Sequence, residues 1–144
     1  MRGEIDCRDL AAVTKTRRAI LEEIAPYVPD EAERFAIEQI AGEVLGAQAA
    51  NGGESLSIEL ETAQRCVILD VWGQGPPLAL ESDALRDALL HALTSYIDVE
   101  PTATGNHLTV RVPVNLTTQP EHSARIWRLV GALTSDRGEK ADSL

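Results

Sequence analysis

Residues 66–77, CVILDVWGQGPP, decide the fold. Cys66 to Trp72 is apolar at almost every position, as expected of a central strand buried on both faces. Gly73-Gln74-Gly75-Pro76-Pro77 ends that strand as a rigid loop. Immediately upstream, Leu56, Ile58 and Leu60 alternate with polar residues, and Thr62-Ala63-Gln64-Arg65 turns the chain. The first run thus reads as a half-buried strand leading through that turn into the buried one.

The period changes from 2 to 3.6 further toward the N-terminus. A helix is predicted from about Asp9 to Ala25, with Leu10, Val13, Ile20 and Ile24 on one stripe and Asp9 as its cap. Pro26 and Pro29 bracket a break. Asp30 and Glu33 are spaced as a capping box opening a second helix. Its stripe is Ile37, Ile40, Ala41, Val44 and Leu45, and Asn51-Gly52-Gly53 stops it. Gly42 and Gly46 inside that helix are read as points of close packing. Residues 1–8 read as a short edge strand. Downstream, a third helix is predicted over Ser82–Tyr96, presenting Leu85, Ala88, Leu89, Ala92 and Tyr96. Ile97–Glu100 and Leu108–Val114 form a hairpin across Thr104-Gly105-Asn106. Pro120 opens a last helix carrying Ile126, Leu129, Val130 and Leu133, and a polar tail starts at Asp136. The order implies an α+β two-layer sandwich, a mixed β-sheet with helices on one face. Its divisions are a domain over 1–118, a C-terminal helix over 119–135 and a tail over 136–144.

Composition narrows the function classes. The chain has 144 residues, 44% of them hydrophobic, and 23 acidic against 13 basic side chains give a formal charge of −10. That field repels phosphate backbones and anionic lipid, so neither nucleic acid nor a membrane surface is expected as a partner. No stretch approaches the ~20 apolar residues of a bilayer span, and MRGEIDCRD lacks an apolar signal core. Cys7 and Cys66 lie far apart, which argues against a disulfide framework and fits a cytoplasmic location. His91, His107 and His122 lack the i, i+4 spacing of helical metal ligands, so no metal site is expected. His91 is read as a solvated side chain rather than a phosphoryl acceptor, and both cysteines as structural thiols.

Three stretches carry a family resemblance. DLAAVTKTRRAILEEIAPYVPDEAERFAIEQIAGEVLGAQAANGG (9–53), ILDVWGQGPP (68–77) and DVEPTATGNHLTVRVPV (98–114) resemble the anti-sigma-factor serine kinases. These belong to the GHKL superfamily of histidine-kinase-like ATPases, with the Bergerat fold. The likeness covers about residues 1–114. It implies an E-x-x-x-N pair on the second helix, the Glu activating the attacking group and the Asn holding Mg²⁺. Here Glu43 matches the acid, but the Asn position is Ala47. It also implies D-x-G-x-G after the central strand, whose Asp receives the adenine amino group. Gly73 and Gly75 match, but the Asp position is Val71; Asp70 is one residue early, and one step along a strand reverses the face. The glycine-rich phosphate segment is missing as well, since no glycine occurs between Gly75 and Gly105, and Glu81 and Asp83 stand near the third helix start.

A lost hydrogen bond to a charged acceptor costs ~1.5–3 kcal/mol, and a buried donor left unpaired adds to it. The resemblance therefore implies a degenerate nucleotide site, with ATP and Mg²⁺ as cofactors only if that reading fails. The expected function is a regulatory protein-binding module of the anti-sigma or partner-switching kind. Its expected partner is a sigma factor or an anti-anti-sigma factor, bound through the first two helices or the C-terminal one. Trp72, beside the nucleotide loop, and Trp127, on the last helix, are the partner-binding candidates. Glu43 on its own is read as an ordinary helix carboxylate. The alternatives are an active serine kinase in which Asp70 and Asn51 supply the missing groups, and a homodimerisation module.

Overall fold

The computed structural model describes residues 10–51, 56–63, 65–115 and 124–129. Three α-helices pack on one face of a five-stranded sheet, an α+β two-layer sandwich. The helices are α1 (Leu10–Ile24), α2 (Glu31–Ala50) and α3 (Ala84–Leu93), the last preceded by a 3-10 turn at Leu80–Ser82. The strands are β1 (Leu56–Ala63), β2 (Cys66–Gln74), β3 (Tyr96–Pro101), β4 (Gly105–Pro113) and β5 (Ala124–Leu129). The sheet order is β3-β4-β2-β1-β5. Every pairing is antiparallel, so the sheet is not mixed: β1–β2 and β3–β4 fold straight back on each other, while β4 and β5 return from farther along the chain to pair with β2 and β1.

Asp30 caps α2 by accepting a hydrogen bond from the Ala32 N–H at 2.9 Å. Glu33 does not close the expected capping box. Its carboxylate instead takes the backbone and side-chain N–H groups of Asn115, at 2.9 and 3.1 Å, and ties α2 to the end of β4. The α1–α2 connection is fixed by Arg34, whose guanidinium donates to the Val28 and Pro29 carbonyls. The predicted stripe of α2 is buried in full: Ile37, Ile40, Ala41, Val44 and Leu45. Gly42 marks a close approach, to the Arg17 side chain of α1, whereas Gly46 is only in ordinary contact with Arg86 of α3.

Four further expectations are corrected by the structure. The central strand β2 is buried on one face only: Val67, Leu69 and Val71 are covered, while Cys66, Ile68, Asp70 and Trp72 are half-buried. All three helices lie on the same side, so no described helix covers the alternate residues. The helical stripe read for α3 is also misplaced, since only Leu90 is buried there and Leu85 is 81% exposed. A short helix at the sheet margin needs one anchoring side chain, not a full stripe. Tyr96 begins β3 instead of ending the helix. Lastly, residues 124–129 are a strand and not part of a C-terminal helix. A-R-I-W-R-L pairs with β1, whose outer backbone groups would otherwise form a bare edge. The rest of 119–135, the tail and the edge strand expected at 1–8 lie outside the described residues.

Candidate functional site

The resemblance places a nucleotide site between α2, the end of β2 and the start of α3. That region holds a cavity of about 280 Å³ lined by Ala47, Asn51, Leu78, Ser82, Asp83 and Arg86, among others. Helix α2 supplies Ala47 and Asn51 because its stripe lies along β2; the loop after β2 supplies the opposite wall. Ligand sites usually occupy ~300–1,000 Å³, so this one is small for a nucleotide.

Each matched position has a role of its own in this chain. Glu43, on α2, accepts a hydrogen bond at 2.8 Å from the Arg86 Nε of α3, an ion pair with both side chains about a third exposed or less. Ala47 is buried in the cavity wall. Val71 is fully buried, and its carbonyl accepts from the Gln48 amide at 2.9 Å. The same Gln48 Nε2 donates to the Asn106 carbonyl at 3.0 Å, bridging β2 and β4 under α2. Gln48 Oε1 is buried with no hydrogen-bond partner. It lies where a side chain on Gly73 would go, only 2.6 Å from an ideal Cβ there, so glycine at 73 makes room for this bridge. Gly75 has φ +131°, a left-handed conformation that only glycine adopts without strain.

The loop is pinned by two asparagines. Asn51 Nδ2 and Asn106 Nδ2 both donate to the Pro76 carbonyl, at 2.7 and 2.8 Å, and Asn106 Oδ1 accepts from the Leu78 N–H. At the start of α3, Asp83 caps the helix by accepting from the Arg86 N–H at 3.1 Å. The helix end that would draw a phosphate thus already holds a carboxylate.

Asp70 and Trp72 are not part of this region. They alternate with Val71 on β2 and lie on the face of the sheet turned away from the helices. Asp70 Oδ1 accepts from Thr109 Oγ1 at 2.7 Å and pairs with His107 Nε2 at 2.8 Å. Trp72 stacks on the His107 ring, 4.3 Å between centroids at 10°. Trp72 thus packs against the sheet instead of plugging the cavity. Trp127 lies on β5 opposite Ile58.

The other titratable candidates are accounted for locally. His91 is exposed on α3, its Nδ1 near the Asp87 carbonyl and carboxylate of the preceding turn. Cys66 donates to the Ala63 carbonyl at 3.1 Å. Burial pushes its thiol above the ordinary value, Glu61 adds to the rise and Arg111 opposes it. Cys7 and His122 lie outside the described residues. Among the described residues, no group of three or more His, Cys, Asp or Glu is placed to hold a metal ion, and no helix is long and apolar enough to cross a membrane.

Sequence reasoning missed Gln48, Arg86 and Asn106. A polar residue inside the apolar run Val44-Leu45-Gly46-Ala47-Gln48-Ala49 was the available signal for Gln48. Arg86 gave none, because its partner lies on a different helix.

No protein-family model matches the chain, and none of the curated proteins does. Among solved structures it is similar to the histidine kinase AdeS of Acinetobacter baumannii, at 22% identity over 80% of this chain and 68% of that one, with a TM-score of 0.46.

Proposed function

We propose that the protein is a regulatory binding module on a sandwich of the histidine-kinase-like ATPase type, acting by capturing another protein without turning over a nucleotide. The partner class suggested by the resemblance is a sigma factor or an anti-anti-sigma factor. The observation that carries the reading is the ion pair between Glu43 and Arg86. The one matched acid is neutralised by a neighbouring helix, while the magnesium position next to it is an alanine.

Mg-ATP does not fit the remaining residues. Val71 presents no carboxylate to an adenine amino group, its carbonyl is already taken by Gln48, and Asp83 fills the α3 terminus with negative charge. The serine-kinase alternative needs Asp70 and Asn51. Asp70 lies on the opposite face of the sheet, and the Asn51 side chain is engaged by Pro76.

Isothermal titration of the full chain with Mg-ATP tests the proposal, with no binding expected up to millimolar nucleotide. Micromolar, magnesium-dependent binding would overturn it, as would transfer of labelled phosphate to an anti-anti-sigma protein that Glu43→Ala abolishes.

A further inference from the structure

We infer that the sheet face turned away from the helices docks a partner protein, and that the partner presents a basic amphipathic helix to it. This rests on the binding-module reading and adds the place and the chemistry of the contact.

Five carboxylates stand on that face: Glu59 and Glu61 of β1, Asp70 of β2, Asp98 and Glu100 of β3. Against them stand two guanidiniums, Arg111 of β4, 5.1 Å from the Tyr96 ring centroid, and Arg128 of β5, whose register position opposite Ser57 is on the same face, so carboxylates still predominate. On a solvated antiparallel face, opposite charges across strands are stabilising and like charges directly opposite are not. Here the register sets Glu59 directly opposite Asp70, a like-charge pair that destabilises the sheet. Glu59, Glu61 and Asp98 form no ion pair with any described residue. Thr109 and His107 offset the charge on Asp70, and a cation from outside would relieve that on Glu59.

Apolar area accompanies the charge. Trp72 and Ile68 are half-buried along the middle strand, and Tyr96 is 46% exposed at the margin. Aromatic anchors inside a charged surround are the usual make-up of a protein-binding surface. The helices already cover the other face, so a partner helix laid here completes a third layer. Addition of a strand fits less well, because the outer strand β3 carries Asp98, Glu100 and Pro101, residues that guard an edge. The groove between α1 and α2, about 420 Å³ around Leu21, Ala25 and Phe35, is the competing surface. Arg18 and Arg34 stand there among Glu22, Glu31 and Glu38, so its signs are nearly balanced.

The test titrates the isotopically labelled full chain with a synthetic Lys/Leu amphipathic helix of about 18 residues, long enough (~27 Å) to cross the sheet. A Glu/Leu peptide of the same pattern is the control. Backbone amides of 57–61, 68–72, 96–100 and 107–111 should shift, and affinity should fall with added salt. The triple variant E59Q/D98N/E100Q should bind at least ~10-fold more weakly. It should melt no lower than the parent, since like charges have been removed. E22Q/E31Q/E38Q, with the same charge loss on the helices, should bind unchanged. The inference is overturned if the shifts fall on α1 and α2, if both triple variants weaken binding equally, or if neither peptide or both peptides bind. It is overturned too if the same amides shift with protein concentration alone, which would make a second copy the occupant. None of these results alters the Mg-ATP titration, so the two proposals fail separately.

Discussion

The two faces of β2 differ in burial and in chemistry. Toward the helices it presents Val67, Leu69 and Val71, each at most 3% exposed. Toward the other side it presents Ile68, Asp70 and Trp72, all half-buried, with a polar network joining Asp70 to His107 and Thr109. The first face holds the fold together through apolar contact. The second carries charge in the middle of a sheet, as an antiparallel strand with one solvated face can. The same strand thus joins an apolar packing surface to a polar one.

Substitutions can break or sharpen that contrast. The largest effect is expected at fully buried Ile58, where Ile58→Ala should cost ~2–5 kcal/mol by chemical denaturation. Ile68→Ala, on the other face, should cost under ~1.5 kcal/mol. Equal losses would show that the open face is a second core.

Next come the parts of the buried bridge. Gly73→Ala pushes a methyl group against Gln48 and Leu56, and should cost ~1–3 kcal/mol. Gln48→Leu leaves the Val71 and Asn106 carbonyls without their donor and should cost a similar ~1–3 kcal/mol. An unchanged melting temperature in both would remove the bridge from the account of the helix-covered face.

A smaller effect is expected from His107→Ala, about 1 kcal/mol from loss of the stack and the Asp70 contact. Trp72 fluorescence should shift to the red in the same variant. An emission spectrum that does not move, in a Trp127→Phe background, would place the ring elsewhere. Glu43→Gln should change stability by under ~1 kcal/mol, since the pair with Arg86 is partly exposed.

The last effect depends on pH. Because the folded chain raises the Cys66 value, the neutral thiol is the favoured form in the fold. Its contribution to stability is full below the unfolded thiol value and is lost as pH rises through the folded one. In a Cys7→Ser background, alkylation by iodoacetamide should need a higher pH for the folded chain than for the urea-unfolded one. Identical profiles would mean that Cys66 is not shielded by the sheet.

Much of the architecture was legible in sequence order. The α2 stripe and its Asp30 cap, the Leu56–Leu60 alternation and the turn before Cys66 depend on neighbours within a few residues, which is the range over which periodicity carries information. The last element was not legible. Ile126, Leu129, Val130 and Leu133 satisfy a helical period, but residues 124–129 pair with β1, whose open edge a one-dimensional pattern does not contain. The site was half legible. Ala47 and Val71 could be seen to lack the expected chemistry, whereas the groups that use those positions, Gln48, Arg86 and Asn106, come from separate elements.

By itself the sequence determined the class of fold, the charge of −10 and the identity of the side chains at Glu43, Ala47 and Val71. These follow from composition and local spacing, which survive without coordinates. Only the tertiary structure decided that β2 has one covered face, that Arg86 pairs with Glu43, and that Glu59 stands opposite Asp70. Each of these joins residues at least 11 positions apart in number, brought together by helix packing or strand register rather than by chain proximity.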